Sequence, residues 1–114
     1  MQPANLNVNL QANADGARSV AKLDGKLVLE TVIRFLQEMR PQPAPSLVLD
    51  MSGVAFLDSA GVGALVQLFV HRRNQGQRFA LAALNQQGMA VMRVSGLLKL
   101  MPVFASVAEA EASN

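Results

Sequence analysis

Residues 47–74 constrain the fold most, because they predict a buried strand that leads directly into a long helix. The run Leu47-Val48-Leu49 is short and apolar, as expected of a strand that is covered on both faces. Apolar residues then recur at i, i+3, i+4, i+7 and i+8, which defines one face of a helix. They are Val62, Leu65, Val66, Phe69 and Val70. The residues Asp58-Ser59-Ala60-Gly61 join the strand to the helix through a short loop.

Ser59 is predicted to lie at the N-terminus of this helix. The first backbone N–H groups of a helix lack carbonyl partners and carry partial positive charge. A phosphoryl group could be accommodated there, and a partner protein could dock there. The residues alone leave a simpler interpretation open, in which Asp58 or Ser59 is only the N-cap and stabilises the helix by about 1 kcal/mol.

Two kinds of enzyme site are poorly supported. A serine nucleophile needs a base within hydrogen-bond reach, but the single histidine, His71, follows twelve positions after Ser59, about 18 Å along the helix axis. Gly61-Val62-Gly63 supplies two of the three glycines of a dinucleotide-binding loop, with Val66 in the third place. We therefore expect no enzyme activity. Gly61 and Gly63 are interpreted as residues that let the helix pack closely on the sheet and let a partner approach its backbone.

A basic group ends the same helix. It comprises His71, Arg72 and Arg73, and Arg78 follows shortly after. Positive charge at a helix C-terminus complements the helix dipole, so this group is predicted to be a solvated helix end. The alternative is that the three arginines contact an acidic partner. Scattered acidic residues do not predict a metal site, and the absence of interleaved aromatic residues argues against nucleic-acid binding.

Composition narrows the class of protein. The chain has 114 residues, of which 51% are hydrophobic, and this is enough for one domain with its own core. It has no cysteine, and its net charge of +2 is too small to indicate a nucleic-acid or membrane partner. The N-terminus lacks the features of a signal peptide, and Asp58 interrupts the hydrophobic stretch 51–70. We expect a cytoplasmic protein without membrane insertion and without a cofactor.

The first part of the chain predicts a hairpin followed by a helix. Alternating apolar residues indicate an edge strand over residues 5–11, and a turn at 13–16 leads to a second strand over 19–23. Asp24-Gly25 is predicted to end that strand. A helix over 27–39 follows, and Pro41, Pro43 and Pro45 prevent its continuation. Its predicted apolar stripe consists of Leu29, Val32, Ile33, Leu36 and Met39.

The last part predicts strands over 78–84 and 98–104 and a helix over 86–94 that is capped by Asn85. The predicted apolar face of that helix is Ala90, Val91 and Val94, and Ser106 can cap a terminal helical turn. The element order is β-β-α-β-α-β-α-β-α. It predicts an α/β fold with a mixed, mostly parallel sheet of four to five strands and about four helices layered on it.

Two motifs and one glycine in this arrangement resemble those of a known family. They are Phe56-Leu57-Asp58-Ser59-Ala60-Gly61-Val62-Gly63, then Gly76, and then Ser95-Gly96-Leu97-Leu98-Lys99-Leu100. Together they resemble the STAS domain of anti-sigma factor antagonists. The resemblance covers residues 47–104 well and the first 45 residues weakly, and it implies a single STAS domain over residues 1–114.

The resemblance implies a function in transcription regulation through protein–protein interaction. Such proteins bind an anti-sigma factor, commonly one with a GHKL-type ATP-binding kinase fold, and so free the sigma factor. The kinase would phosphorylate Ser59 and separate the complex, and a serine phosphatase would restore it. ATP and magnesium would belong to the kinase. The residues expected at the docking surface of this chain, a monomer or weak dimer, are Asp58, Ser59, Ala60, Gly61 and Gly63.

Two positions depart from the family pattern. Family members often carry an acidic residue after the glycine that follows the second strand, but here Val28 follows Gly25-Lys26-Leu27, and Asp24 is the candidate to replace it. Ala60 replaces a second serine, which leaves Ser59 as the only acceptor in the loop. The alternative function is a STAS scaffold or adaptor in which Ser59 is not switched, such as a subunit of a stress-signalling assembly or of a lipid-transport ATPase.

Overall fold

The computed structural model describes residues 4–113, which form a five-stranded sheet and four α-helices. In chain order the elements are β1 (Leu6–Ala12), β2 (Arg18–Leu27), α1 (Val32–Met39), β3 (Ser46–Leu57), α2 (Ser59–Asn74), β4 (Arg78–Ala82), α3 (Gln86–Val94), a 3-10 turn (Leu97–Lys99), β5 (Val103–Phe104) and α4 (Val107–Ser113). The strands lie in the order β1-β2-β3-β4-β5. β1 pairs with β2 antiparallel, and the other three pairs are parallel. The predicted fold class is therefore confirmed.

Both faces of the sheet are covered, which explains the apolar run at the start of β3. Side chains alternate between the faces of a strand. Leu47 and Leu49 belong to the main core, which also contains buried residues of α1, α2 and α3. Val48 points to the opposite face and packs in a smaller cluster with Ala80 and with Ala110 of α4. Three helices thus lie on one face of the sheet and α4 lies on the other.

The two central strands are longer than predicted. β2 continues through Gly25 to Leu27 instead of ending at Asp24-Gly25. Gly25 has φ of +127°, and the pairing with β3 shifts register between Gly25 and Lys26. This glycine therefore marks an irregularity within the strand rather than its end. Beside it, β3 extends to Leu57, so that the last residues of both strands lie together.

The first helix starts later than predicted, and its predicted apolar stripe is confirmed only in part: Met39 is buried and Val32 and Leu36 pack against the core. Residues 28–31 form a turn closed by Thr31, whose hydroxyl accepts a hydrogen bond from the Val28 N–H at 3.1 Å and donates to the Lys26 carbonyl at 2.8 Å. Phe35 is buried, whereas Leu29 and Ile33 are 68% and 70% exposed.

In the second half of the chain, the predicted helix caps are confirmed, but one helix face and one strand differ from the prediction. Asn85 caps α3 by accepting from the Gly88 N–H at 2.8 Å, and Ser106 accepts from the Glu109 N–H at 3.2 Å. Of the predicted apolar face of α3, Val91 packs against the main core beside the buried Met92, whereas Ala90 is exposed and Val94 is 89% exposed. The predicted strand over 98–104 is a 3-10 turn followed by the two-residue β5. Within residues 4–113, no helix is long and apolar enough to cross a membrane.

Candidate functional site

Asp58 forms the joint between β3 and α2 and uses both of its carboxylate oxygens there. Oδ1 accepts a hydrogen bond from the Gly61 N–H at 2.8 Å, which makes Asp58 the N-cap of α2. Oδ2 accepts from the Leu29 N–H at 3.1 Å. A carboxylate at this position also complements the positive end of the helix dipole. Asp58 therefore holds the start of α2 and the turn after β2 together.

Ser59 is the first residue of α2, and its side chain is free. The capping interpretation that remained open for Asp58 and Ser59 is resolved in favour of Asp58. Ser59 is exposed, and across the described part of the chain its hydroxyl takes part in no hydrogen bond. The hydroxyl is thus at the surface, beside a capped helix N-terminus and within reach of another protein.

An apolar groove of about 380 Å³ begins beside Ser59 and runs between α2 and α3. Its lining residues are Ser59, Val62, Ala90, Val91, Val94 and Ser95. Val94 is the most exposed of the large hydrophobic residues in residues 4–113. An exposed valine beside a groove lined by valine and alanine is a feature of protein-binding surfaces.

The two glycines of α2 have different surroundings. A Cβ added to Gly61 would lie 2.1 Å from the Leu27 carbonyl oxygen and 2.8 Å from Leu57 Cδ1. The interpretation that a glycine lets the helix pack closely on the sheet is therefore confirmed for Gly61. A Cβ added to Gly63 would meet no atom within 4 Å, so internal packing does not require glycine there. Contact of either residue with a partner remains a prediction.

The turn after β2 forms the opposite flank of the joint. Val28 is buried, so the position where the family often has an acidic residue is used for core packing here. Asp24 lies in β2, exposed and paired with Gly53 of β3, three residues before the strand ends. Its replacement of the missing acid stays a prediction. Leu29 and Ile33 give this flank an exposed apolar surface.

The sequence matches a family model over most of its length. The model described as "STAS domain" matches residues 9–110. This chain belongs to the STAS domain family. In this STAS domain, the matched segment contains the joint, the groove, strands β2 to β5 and the part of β1 from residue 9 onward.

One relative and two solved structures are similar to this chain over most of its length. An anti-sigma F factor antagonist of Paenibacillus polymyxa is 25% identical over 103 residues, covering 85% of this chain and 88% of that protein. The crystal structure of an anti-sigma factor antagonist from Mycobacterium paratuberculosis is similar with a TM-score of 0.85 at 20% identity, covering 96% of this chain and 93% of that one. A sulfate transporter family protein from Wolinella succinogenes has the same fold, with a TM-score of 0.75, 16% identity and coverage of 85% and 84%.

In this STAS domain, Arg72 does not lie where the sequence predicts it. It is fully buried, so it is neither part of a solvated helix end nor able to contact an acidic partner. Its guanidinium donates to the main-chain carbonyls of Arg78 at 2.9 Å, Gln42 at 3.2 Å and Ala44 at 2.7 Å. Desolvation by burial lowers the pKa of Arg72 below its usual value. Arg73 and Arg78 are exposed, as predicted.

The buried arginine supplies donors to two carbonyls of the proline-rich connector, those of Gln42 and Ala44. Pro41, Pro43 and Pro45 have no N–H groups, and the connector lies outside the sheet ladder. Its carbonyls nevertheless need donors when they are buried. A proline-rich segment before a buried strand, with an arginine near the end of the following helix, is the only sequence signal that points to this arrangement.

His71 is also engaged within the domain and lies far from Ser59. Its Nε2 atom is 3.2 Å from the Arg40 carbonyl oxygen, which connects the end of α1 to the last turns of α2. Within the ranges that the structure describes, no three His, Asp or Glu side chains are grouped as metal ligands would be.

A larger cleft of about 410 Å³ lies on the other face of the sheet, beside α4. Charges of both signs line it, including Lys22, Asp50 and Glu111, and Ser59 does not. The cleft and the joint are thus separate surfaces, and only the joint carries the family motif.

Proposed function

We propose that this STAS domain is an anti-sigma factor antagonist whose binding to an anti-sigma factor is abolished by phosphorylation of Ser59. The partner would be an anti-sigma factor with a GHKL-type kinase fold, and a serine phosphatase would reverse the modification. The observation that carries the proposal is the free, exposed Ser59 hydroxyl at the edge of an apolar groove. The name of the Paenibacillus relative supports the same function.

The free protein can tolerate a phosphoryl group on Ser59. Asp58 already caps α2, so modification of Ser59 would break no hydrogen bond. The phosphate adds nearly two negative charges, and the helix N-terminus offsets about 0.3–1 kcal/mol of the resulting repulsion from Asp58. Because the group remains in water, the fold does not need to change.

A docked partner would make the same phosphate costly. The flanks of Ser59 are apolar, with Val94 on one side and Leu29 on the other. A protein bound across them would remove the phosphate from water, and an unpaired buried charge costs several kcal/mol. Since about 1.4 kcal/mol changes affinity tenfold, this penalty is sufficient for a switch.

The remaining predicted docking residues have distinct parts in this proposal. Asp58 would act chiefly by fixing the joint, because both of its carboxylate oxygens are bonded within the domain. Gly61 would set the closeness of α2 to β2, whereas Gly63 and Ala60 would let the partner approach the first turns of α2.

The direct test is incubation with the purified anti-sigma factor kinase, ATP and magnesium, followed by mass spectrometry. We expect one phosphoryl group, located on Ser59 and absent from Ser59→Ala. Ser95→Ala is a matched control, because Ser95 lines the same groove but donates to the Met92 carbonyl at 3.1 Å. That variant should still be phosphorylated. Phosphate on Ser95, or none with a kinase that binds the domain, would contradict the proposal.

A scaffold or adaptor function would give a different result in the same system. Binding to the partner would then persist, and Ser59 would stay unmodified. The occurrence of this fold in a sulfate transporter family protein shows that it is not confined to proteins named as antagonists. The kinase reaction separates the two functions because it reports on Ser59 rather than on the fold.

A further inference from the structure

The outer edge of β1 is open. β1 lies at one end of the sheet, and no other strand of residues 4–113 pairs with its second edge. Edge strands are usually protected by charged residues, proline or bulges, because they can pair with other chains. The sequence Leu6–Ala12 contains no charge and no proline, and its register with β2 is continuous. This edge therefore lacks the usual protection.

The hydrogen bonds to β2 reveal which residues of β1 face outward. The Asn5 carbonyl accepts from the Lys26 N–H at 2.9 Å, and the Asn13 N–H donates to the Arg18 carbonyl at 2.9 Å. In an antiparallel ladder, alternate residues exchange both of their bonds with the same neighbouring strand. The odd-numbered residues of β1 therefore direct their backbone N–H and C=O groups toward β2. The even-numbered residues direct their backbone groups away from the sheet: Leu6, Val8, Leu10 and Ala12.

This edge is complementary to a second copy of itself. Antiparallel pairing about a twofold axis through Asn9 places Val8 opposite Leu10 and Leu6 opposite Ala12, so that each outward backbone group meets a partner. An axis perpendicular to the sheet keeps apolar side chains beside apolar ones. On the other face, Asn9 meets Asn9 of the second copy, and Asn7 meets Gln11. No like charges meet anywhere along the strand.

We propose that β1 is a homodimer interface, through which two copies form one continuous ten-stranded sheet. Leu10, which is 40% exposed in one copy, would become covered by Val8 of the other. The joint remains free in this arrangement, because Ser59 follows β3, two strands away from the paired edge. The dimer would therefore present two Ser59 sites, and its formation does not depend on the function proposed for them.

A cysteine cross-link tests the register, since the chain contains no natural cysteine. Asn9 would face its own copy at a non-hydrogen-bonded pair, where Cα atoms lie about 4.5 Å apart, within the range of a disulfide. Asn9→Cys should form a disulfide-linked dimer on mild oxidation. Gln11→Cys is the matched control, because it would lie four residues, or about 13 Å, from its copy. Equal cross-linking of both variants, or none for Asn9→Cys, would overturn the proposal.

Analytical ultracentrifugation tests the dimer without a cross-link. The unmodified protein should sediment as a dimer at high concentration and as a monomer on dilution. Leu10→Lys should weaken association by about tenfold or more, because it places a charge against Val8 of the other copy. Val70→Lys is the control, since Val70 is 44% exposed but lies on α2. Circular dichroism will establish that both variants fold. A monomer at every concentration, or equal weakening by both variants, would refute the interface.

Discussion

The two ends of α2 each carry a polar residue that the sequence predicts to be accessible, but only one of them is exposed in the fold. At the N-terminus, the Ser59 hydroxyl is exposed and without a partner in the described residues. At the C-terminus, the Arg72 guanidinium is fully buried and donates to three main-chain carbonyls. The same helix thus has a polar side chain open to other molecules at one end and a polar side chain engaged in the fold at the other.

This difference depends on which backbone groups need hydrogen-bond partners at each end of the helix. At the N-terminus, Asp58 bonds to the Gly61 N–H, so the neighbouring serine is not needed as a cap. At the C-terminus, the proline-rich connector and the start of β4 bring carbonyls into the interior, where they need donors. A residue can be reserved for function where a neighbour already satisfies the backbone. The following variants test that comparison.

Replacement of Arg72 should give the largest loss of stability. Arg72→Met removes charged donors from three carbonyls, and each such hydrogen bond contributes about 1.5–3 kcal/mol. We expect the free energy of unfolding in urea to fall by about 3 kcal/mol or more. Arg73→Met is the matched control at the exposed neighbouring position and should change it by less than about 0.5 kcal/mol. Similar losses for the two arginines would show that Arg72 does not hold the connector.

Replacement of the two glycines near the N-terminus of α2 should have the next largest effects on stability, and these should be opposite in sign. Gly61→Ala would force a methyl group against the Leu27 carbonyl, and overpacking of this kind costs about 1–3 kcal/mol. Gly63→Ala meets no neighbouring atom and should stabilise α2 by about 0.5–1 kcal/mol. Thermal and urea unfolding measure both. If Gly63→Ala also destabilised the domain, the space beside Gly63 would not be open.

Replacement of Asp58 should cause a smaller loss of stability, which can be divided between its two hydrogen bonds. Asp58→Ala loses the cap and the bond to the Leu29 N–H, and we expect a loss of about 1–2 kcal/mol. Asp58→Asn keeps an oxygen for the Gly61 N–H but cannot accept from Leu29 as well, so it should lose about half as much. Urea unfolding of the two variants gives the comparison. No loss with alanine would mean that another residue caps α2.

The general architecture could be predicted from the sequence because its signals are local. The strand at Leu47, the helix after Ser59 and the cap at Asn85 each follow from neighbouring residues, and all three are observed. Their alternation was enough to predict a mixed, mostly parallel sheet. The role of Ser59 stays a prediction that comes from the family motif around it. The restricted composition of N-caps limited the cap to Asp58 or Ser59, and Asp58 is observed there.

The errors arose where distant residues decide the outcome. Three residues of the predicted α1 stripe pack in the core, but Leu29 lies in the turn that Thr31 closes and is exposed. Phe35 is buried although it was not part of the predicted stripe. Val94 has the correct spacing for a buried face, yet no element covers it within residues 4–113. Arg72 is buried because of carbonyls that come from two other segments of the chain. Spacing along one segment cannot report such contacts.

The most direct test of the account is the affinity of Ser59→Asp for the anti-sigma factor, measured by isothermal titration calorimetry. Ser59→Ala and Ser113→Asp are the controls, since Ser113 is exposed on α4, on the other face of the sheet. All three should unfold within about 0.5 kcal/mol of the unmodified protein. We expect Ser59→Asp alone to bind at least about tenfold more weakly. Equal affinity of Ser59→Asp and Ser59→Ala would contradict it.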